Sequence, residues 1–208
     1  MKASRRRRSS PVERSFATGT EIGDLLSRNL KRVDSLIEIF DKRAPQGSKF
    51  TEDTDILRAA VVLLHAALEE FLRNIAIWKL PSTLGQQSNI PLVGKRRGEK
   101  FVLGDLTPHR DLKVKELIRL SVKEHFDASS FSEVSHVEGL LRDVNISSKR
   151  IDATLPLLGR LMERRHRIVH NVDRSDSAPH RATRMKMGSV VDWRGAVAEF
   201  TSAVLDEV

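Results

Sequence analysis

Between Glu163 and Asn171 the chain reads Glu, Arg, Arg, His, Arg, Ile, Val, His, Asn, which supplies the residue types needed to grip a phosphate and move a proton. Imidazole is the side chain whose ordinary titration lies nearest neutrality, so a histidine here can serve as general acid or base. A guanidinium can hold two phosphate oxygens at once and stabilise the charge that builds on them. Leu158, Leu161 and Met162 before Arg165, with Val169 and Val172 after it, set Arg165 on the inward stripe of a helix. A guanidinium taken out of water needs compensation. Either an acid of a neighbouring helix supplies it, with Glu69 or Glu70 the natural candidate, or that face opens onto a site or a subunit interface. A purely structural Arg to Glu tie fits the same pattern. His170 follows Arg165 by five residues, about 140° around a straight helix. The two converge only if the helix ends or bends near Asn171, or if they meet from opposite subunits across a twofold axis. Asn171 suits such an end because it tolerates the left-handed conformation.

Other constellations fail on composition or spacing. With no cysteine there is no disulfide, thiolate metal site or cysteine nucleophile, which suits a reducing, cytoplasmic setting. Glu163 with His166 and Glu133 with His136 have the Glu-x-x-His spacing of di-iron bundles. Arg164, Arg165 and Arg167 would crowd a cation there, and Glu133 lies in a Ser-rich stretch. No metal site is expected, and no phosphate-binding glycine loop is present around Gly94, Lys95 and Gly98. His65, His109, His125, His136 and His180 are read as surface or satisfied core residues.

Two segments carry more than the whole net charge of +8, the rest of the chain summing to −2. Residues 1 to 17 hold Lys2, Arg5 to Arg8 and Arg14 against Glu13, a net +5, with no apolar stretch behind them, and read as a disordered basic tail. Residues 160 to 188 carry eight Lys or Arg against three acids, also a net +5, and a phosphate-rich ligand would select such a segment. A solvated charged face reads the same way. No apolar run approaches the roughly 20 residues of a membrane span. Aromatics make up 5% with no tyrosine, which disfavours base stacking and favours backbone contacts.

The elements that must position this stretch are helical. Apolar spacing predicts helices over Thr20 to Asp41, capped by a Thr18 and Glu21 box, and over Asp55 to Lys79, stopped by Pro45 and Gly47 before it and Pro81 after it. The second, carrying Leu57, Val61, Leu64, Leu68, Leu72 and Ile75 with Ala59, Ala60, Ala66 and Ala67, is expected to be central. Residues 81 to 110 read as a long loop with room for a short hairpin. Further helices are expected over Asp111 to Phe126, Ser135 to Val144 with a Ser135 and Glu138 capping box, Thr154 to Val172 with Pro156 in the first turn, and Ser189 to Asp206. The fold class is all-α, an up-and-down bundle of four main helices plus one or two short ones and a long loop, as a single domain over residues 18 to 208.

Arg165, polar His166, three further residues and His170, in a helix that follows an apolar helix bearing Ala67, Leu68 and Glu69, resemble the HEPN superfamily. The stretches Ile56 to Ile77, Phe131 to Val144 and Met162 to Asn171 resemble its bacterial RiboL-PSP-HEPN branch. The resemblance implies a homodimer whose Arg-x4-His motifs share an interface cleft and cut RNA with no metal or cofactor. It casts Arg165 and His170 as catalytic, His166, Asn171 and Glu69 as supporting, and Arg164, Arg167 and Arg174 as RNA contacts. A toxin or defence role restrained by an antitoxin or another protein partner also follows from it. Where some members carry a Tyr that the antitoxin modifies, this chain has Val172. Some members are inactive, so a noncatalytic RNA-binding or partner-binding helical module is the alternative.

Overall fold

The computed structural model describes residues 18–44, 51–83, 89–175 and 178–208, so the basic tail and the Pro45 and Gly47 stop lie outside the described residues. Helix α1 (Gly19–Arg43) starts where the sequence puts it. The Thr18 hydroxyl accepts from the Glu21 backbone at 3.5 Å while the Thr18 N–H donates to the Glu21 carboxylate at 2.7 Å. That N–H and the Thr18 hydroxyl, which also donates to the carboxylate at 3.0 Å, hold Glu21 below the usual carboxylate range. Gly19 is obligatory here for a packing reason, because a Cβ would stand 2.7 Å from the Trp78 ring.

Helix α2 (Thr51–Thr83) is longer than its stop signals suggest, since Glu52 and Asp53 extend its first turn and Pro81 sits inside its last turns. Acids in a first turn are favourable beside unpaired N–H groups, which explains the early start. Leu57, Val61, Leu64, Leu68, Leu72 and Ile75 are fully buried, and α2 packs against α1, α3, α4, α5 and α6. Ala60 and Ala67 lie in this core, whereas Ala59 and Ala66 face solvent. Before α3 (Val114–Asp127) the described residues form a loop without a hairpin. Left-handed Gly94 and Gly98 make turns there, and a 3-10 helix, Leu103–His109, follows. This segment is tied down by the Val93 N–H donating to the Ser121 hydroxyl and by a Lys95 to Asp105 pair at 2.9 Å.

Helix α4 (Val134–Asp143) has Glu133 as its N-cap, with no first-turn backbone N–H donating to the Glu133 side chain, and Ser135 and Glu138 form no capping box. The Ser135 hydroxyl instead donates to the Glu133 carboxylate at 3.3 Å. Helix α5 (Lys149–Asn171) begins above a turn earlier than Pro156 suggests, because the Ser148 hydroxyl accepts from the Arg150 backbone. A short antiparallel hairpin, β1 (Arg174–Ser175) and β2 (Ala178–Ala182), then leads into α6 (Met187–Asp206), an addition the helical periodicity did not signal. Among the described residues α1, α2, α5 and α6 form the all-α bundle, with α3 and α4 packed on α2. Arg194 pairs with both oxygens of Asp34 at 2.8 Å, and Arg150 reaches Glu199 and Asp206, fastening α6 to α1 and α5.

Candidate active site

A polar line crosses the apolar face of α2. Arg58, His65 and Glu69 recur at helical spacing, with Arg58 and His65 buried. Neither ring nitrogen of His65 has a hydrogen-bond partner, and the Glu69 carboxylate stands 3.9 Å from Nδ1. Burial depresses the His65 pKa below the ordinary histidine value, Glu69 opposes this, and Arg165 adds to the depression. The folded chain therefore binds fewer protons than the unfolded one below about pH 6.5. Stability is full above that value and falls as pH drops through the window beneath it, by up to about 1.4 kcal/mol per pH unit. Urea titrations at pH 7.5 and 5.5 should show this slope, and His65→Leu should reduce it. An unchanged slope in that variant would assign the acid sensitivity elsewhere.

Glu69 is not the counter-ion of Arg165. Its carboxylate accepts the Phe131 backbone N–H at 3.0 Å and lies 3.8 Å from Arg73, whose guanidinium donates to the Phe126 and Ser129 carbonyls. Glu69 thus anchors the α3–α4 connection. Glu70 accepts from Asn29 instead. Among the described residues Arg165 has no carboxylate within 4.0 Å. It keeps the angle of the inward stripe but is only half-buried, and Val169, one turn on along the same face, is 47% exposed. Of the two ways to accommodate this arginine, the face that opens is the one found.

The buried guanidinium is the neighbouring one. Arg164 is 7% exposed and donates to Asp173 Oδ2 at 2.8 Å and to the Thr183 carbonyl at 3.0 Å. Burial pulls its pKa below the ordinary guanidinium value, against the attraction of Asp173. Arg58 reaches the same Oδ2 at 2.7 Å and the Thr183 carbonyl at 2.9 Å. Asp173 itself is 0% exposed. Arg164, expected to contact RNA, is therefore committed to the interior, and this Arg–Asp–Arg cluster is a feature that the sequence reading missed.

The cluster fixes the end of α5. The helix runs without a break through Asn171, and the left-handed residues are Val172 (φ 50°) and Asp173 (φ 53°), not Asn171. The backbone N–H groups of both converge on the Arg167 carbonyl, which closes the helix end on a single acceptor. Non-glycine residues so placed are strained, typically by about 1–3 kcal/mol each, and persist only when their surroundings over-determine them. The burial of Asp173 between two arginines does so here.

On this fixed helix end, His166 and His170 are exposed and stack one turn apart, ring centroids 4.5 Å and tilted 41°. Arg167 is half-buried and 3.8 Å from Glu163. Asn171 and Arg174 are exposed as well. Because α5 continues as α-helix through Asn171, Arg165 remains about 140° around the helix from His170, so the structure brings the two histidines together but not Arg165 with His170. Among the described residues no three His, Cys, Asp or Glu groups stand close enough together to hold a metal ion. No described helix is long and apolar enough to cross a membrane.

Residues 27–192, well over half of the chain, match the RiboL-PSP-HEPN family model. Comparison with curated proteins and with solved structures found no match.

Proposed function

Because the chain belongs to the RiboL-PSP-HEPN family, we propose that it is a metal-independent endoribonuclease, acting as a homodimer in a toxin or defence setting, with an antitoxin or another protein as its restraint. The observation that carries this reading is the end of α5. Two exposed imidazoles lie ring to ring there, and Arg165, on a different face of the same helix, has no carboxylate partner among the described residues.

In the proposed reaction the ribose 2′-oxygen attacks the adjacent phosphorus and the bond to the 5′-oxygen breaks. His170 takes the 2′-hydroxyl proton or delivers one to the leaving oxygen, help worth roughly 100- to 10,000-fold. Arg165 holds the phosphoryl oxygens and offsets the charge that grows on them. His166 and Asn171 orient the phosphate, and Arg167 and Arg174 receive flanking backbone. Exposed Val169 and Val172 beside the motif are the apolar surface that a second copy would cover.

The test is cleavage of single-stranded RNA in excess chelator. Products ending in a 2′,3′-cyclic phosphate and a 5′-hydroxyl are expected, with DNA of the same sequence left intact because it lacks the nucleophile. Loss of cleavage on chelation, or equal cutting of DNA, would overturn the mechanism. Tight RNA binding that survives His170→Ala with no cleavage by either protein would favour a noncatalytic module.

A further inference from the structure

Around α5, about 60° from His170 on the side of Arg167, the helix meets the segment entering α6 and leaves a pocket of about 330 Å³. Its rim carries Arg160, Arg167, Arg184 and Lys186 against Glu163 alone. Glu163 stands 3.8 Å from Arg167, and among the described residues Arg160, Arg184 and Lys186 have no carboxylate within 4.0 Å. Like charges held around one concavity repel one another and concentrate an anion there. Two further arginines line the same pocket. Arg164, over nine-tenths buried, lines the pocket with its Nε unpartnered, and the Nε of Arg167 is likewise buried without a partner. Their guanidinium charge adds to the positive field that favours an anion in the pocket.

Helix α6 adds its own contribution. Its N-cap is Lys186, which provides no side-chain acceptor for the first-turn N–H groups, and Ser189 of that turn lines the pocket. An uncapped helix start among cations favours a phosphate. Beneath the charges lie Trp193 and Met185, both buried, as an apolar wall. The volume falls at the lower end of the roughly 300–1,000 Å³ of small-ligand pockets, which suits one nucleotide unit and not a folded partner.

We propose that this pocket binds a phosphate group carried on a single nucleoside unit, as a site separate from the His166 and His170 pair. Two sources share that chemistry, a free mononucleotide and one unit of an RNA strand. The site does not depend on catalysis, so a protein that cuts nothing can still pass its test.

The experiment uses the full chain carrying Trp78→Phe, which leaves Trp193 the only tryptophan, together with His170→Ala to keep RNA intact. Calorimetry measures binding of adenosine 5′-monophosphate, inorganic phosphate, adenosine and a single-stranded RNA 12-mer, while Trp193 fluorescence reports occupancy next to it. Saturable binding of the monophosphate or the RNA, with a Trp193 response and at least a 10-fold preference over adenosine, is expected. Arg160→Glu with Lys186→Glu, both at exposed positions, should weaken that binding at least 10-fold while circular dichroism stays unchanged. Tight monophosphate binding assigns a free-nucleotide site, and RNA binding with weak monophosphate binding assigns a backbone subsite. Absence of saturable binding of every phosphate-bearing probe, or binding unaltered by the charge reversals, overturns the proposal.

Discussion

Asp173→Ala should destabilise the fold by about 3–5 kcal/mol, the usual consequence of removing one partner from a buried ion pair. The expectation follows from what remains. Arg58 and Arg164 have side chains only 10% and 8% exposed, and both use Asp173 Oδ2. Arg58 would keep Asp55 at 3.0 Å, but Arg164 would be left with the Thr183 and Arg184 carbonyls alone. Set against the 5–15 kcal/mol total of an ordinary domain, such a loss is a large fraction of stability. The left-handed backbone at Val172 and Asp173 would lose its anchor as well, so the end of α5 that carries His170 should loosen. Urea denaturation of Asp173→Ala measures the global term, and hydrogen exchange at residues 168 to 173 measures the local one. Asp173→Asn separates charge from size, since it keeps an acceptor at the same place and should cost less than the alanine. A change under about 1 kcal/mol in the alanine variant would mean that the cluster does not hold the helix end.

The arginine cluster also marks the limit of what periodicity can reveal. The spacing of Leu158, Leu161 and Met162 centres the inward stripe of α5 close to Arg165, and the structure keeps that angle. What a helical wheel does not contain is which neighbour covers each turn. Near its C-terminus α5 is covered on the Arg164 side by the segment entering α6 and is open at Val169, so burial passes from Arg165 to Arg164. Arg58 carried a signal that was legible, a charge between Leu57 and Val61 in the most apolar helix. Its partner lies 115 positions away in the chain, beyond any local pattern. A complete capping pattern in the sequence marked the start of α1 at Thr18 and Glu21, whereas the same pattern at Ser135 and Glu138 forms no box, because the helix there starts one residue earlier with Glu133 as its N-cap. The left-handed turn fell on Val172 and not on Asn171 because the buried aspartate, not local preference, sets the backbone there.

His170→Ala should lower the rate of RNA cleavage at least roughly 100-fold with the fold intact, as expected when an acid or base group is removed. The side chain is exposed and, among the described residues, its one ring contact is His166; an unfolded variant would mark a structural histidine instead, and an unchanged rate would remove His170 from the chemistry. The same geometry argues for two subunits. An α5 that continues as α-helix through Asn171 holds Arg165 about 140° from His170. The stacked His166 and His170 rings, 4.5 Å apart, cannot flank one phosphorus on opposite sides, as an in-line displacement needs of its attacking and leaving oxygens. Across a twofold axis, Arg165 of one protomer and His170 of its partner can meet one phosphate. Inactive Arg165→Ala and His170→Ala proteins, mixed in equal amounts and allowed to exchange subunits, should then regain up to about a quarter of wild-type activity. Half the dimers are mixed, and each mixed dimer keeps one of its two composite sites. Full activity of a monomer at assay concentration, established by light scattering, would sink the composite site and require each chain to bring its own Arg165 to its own His170.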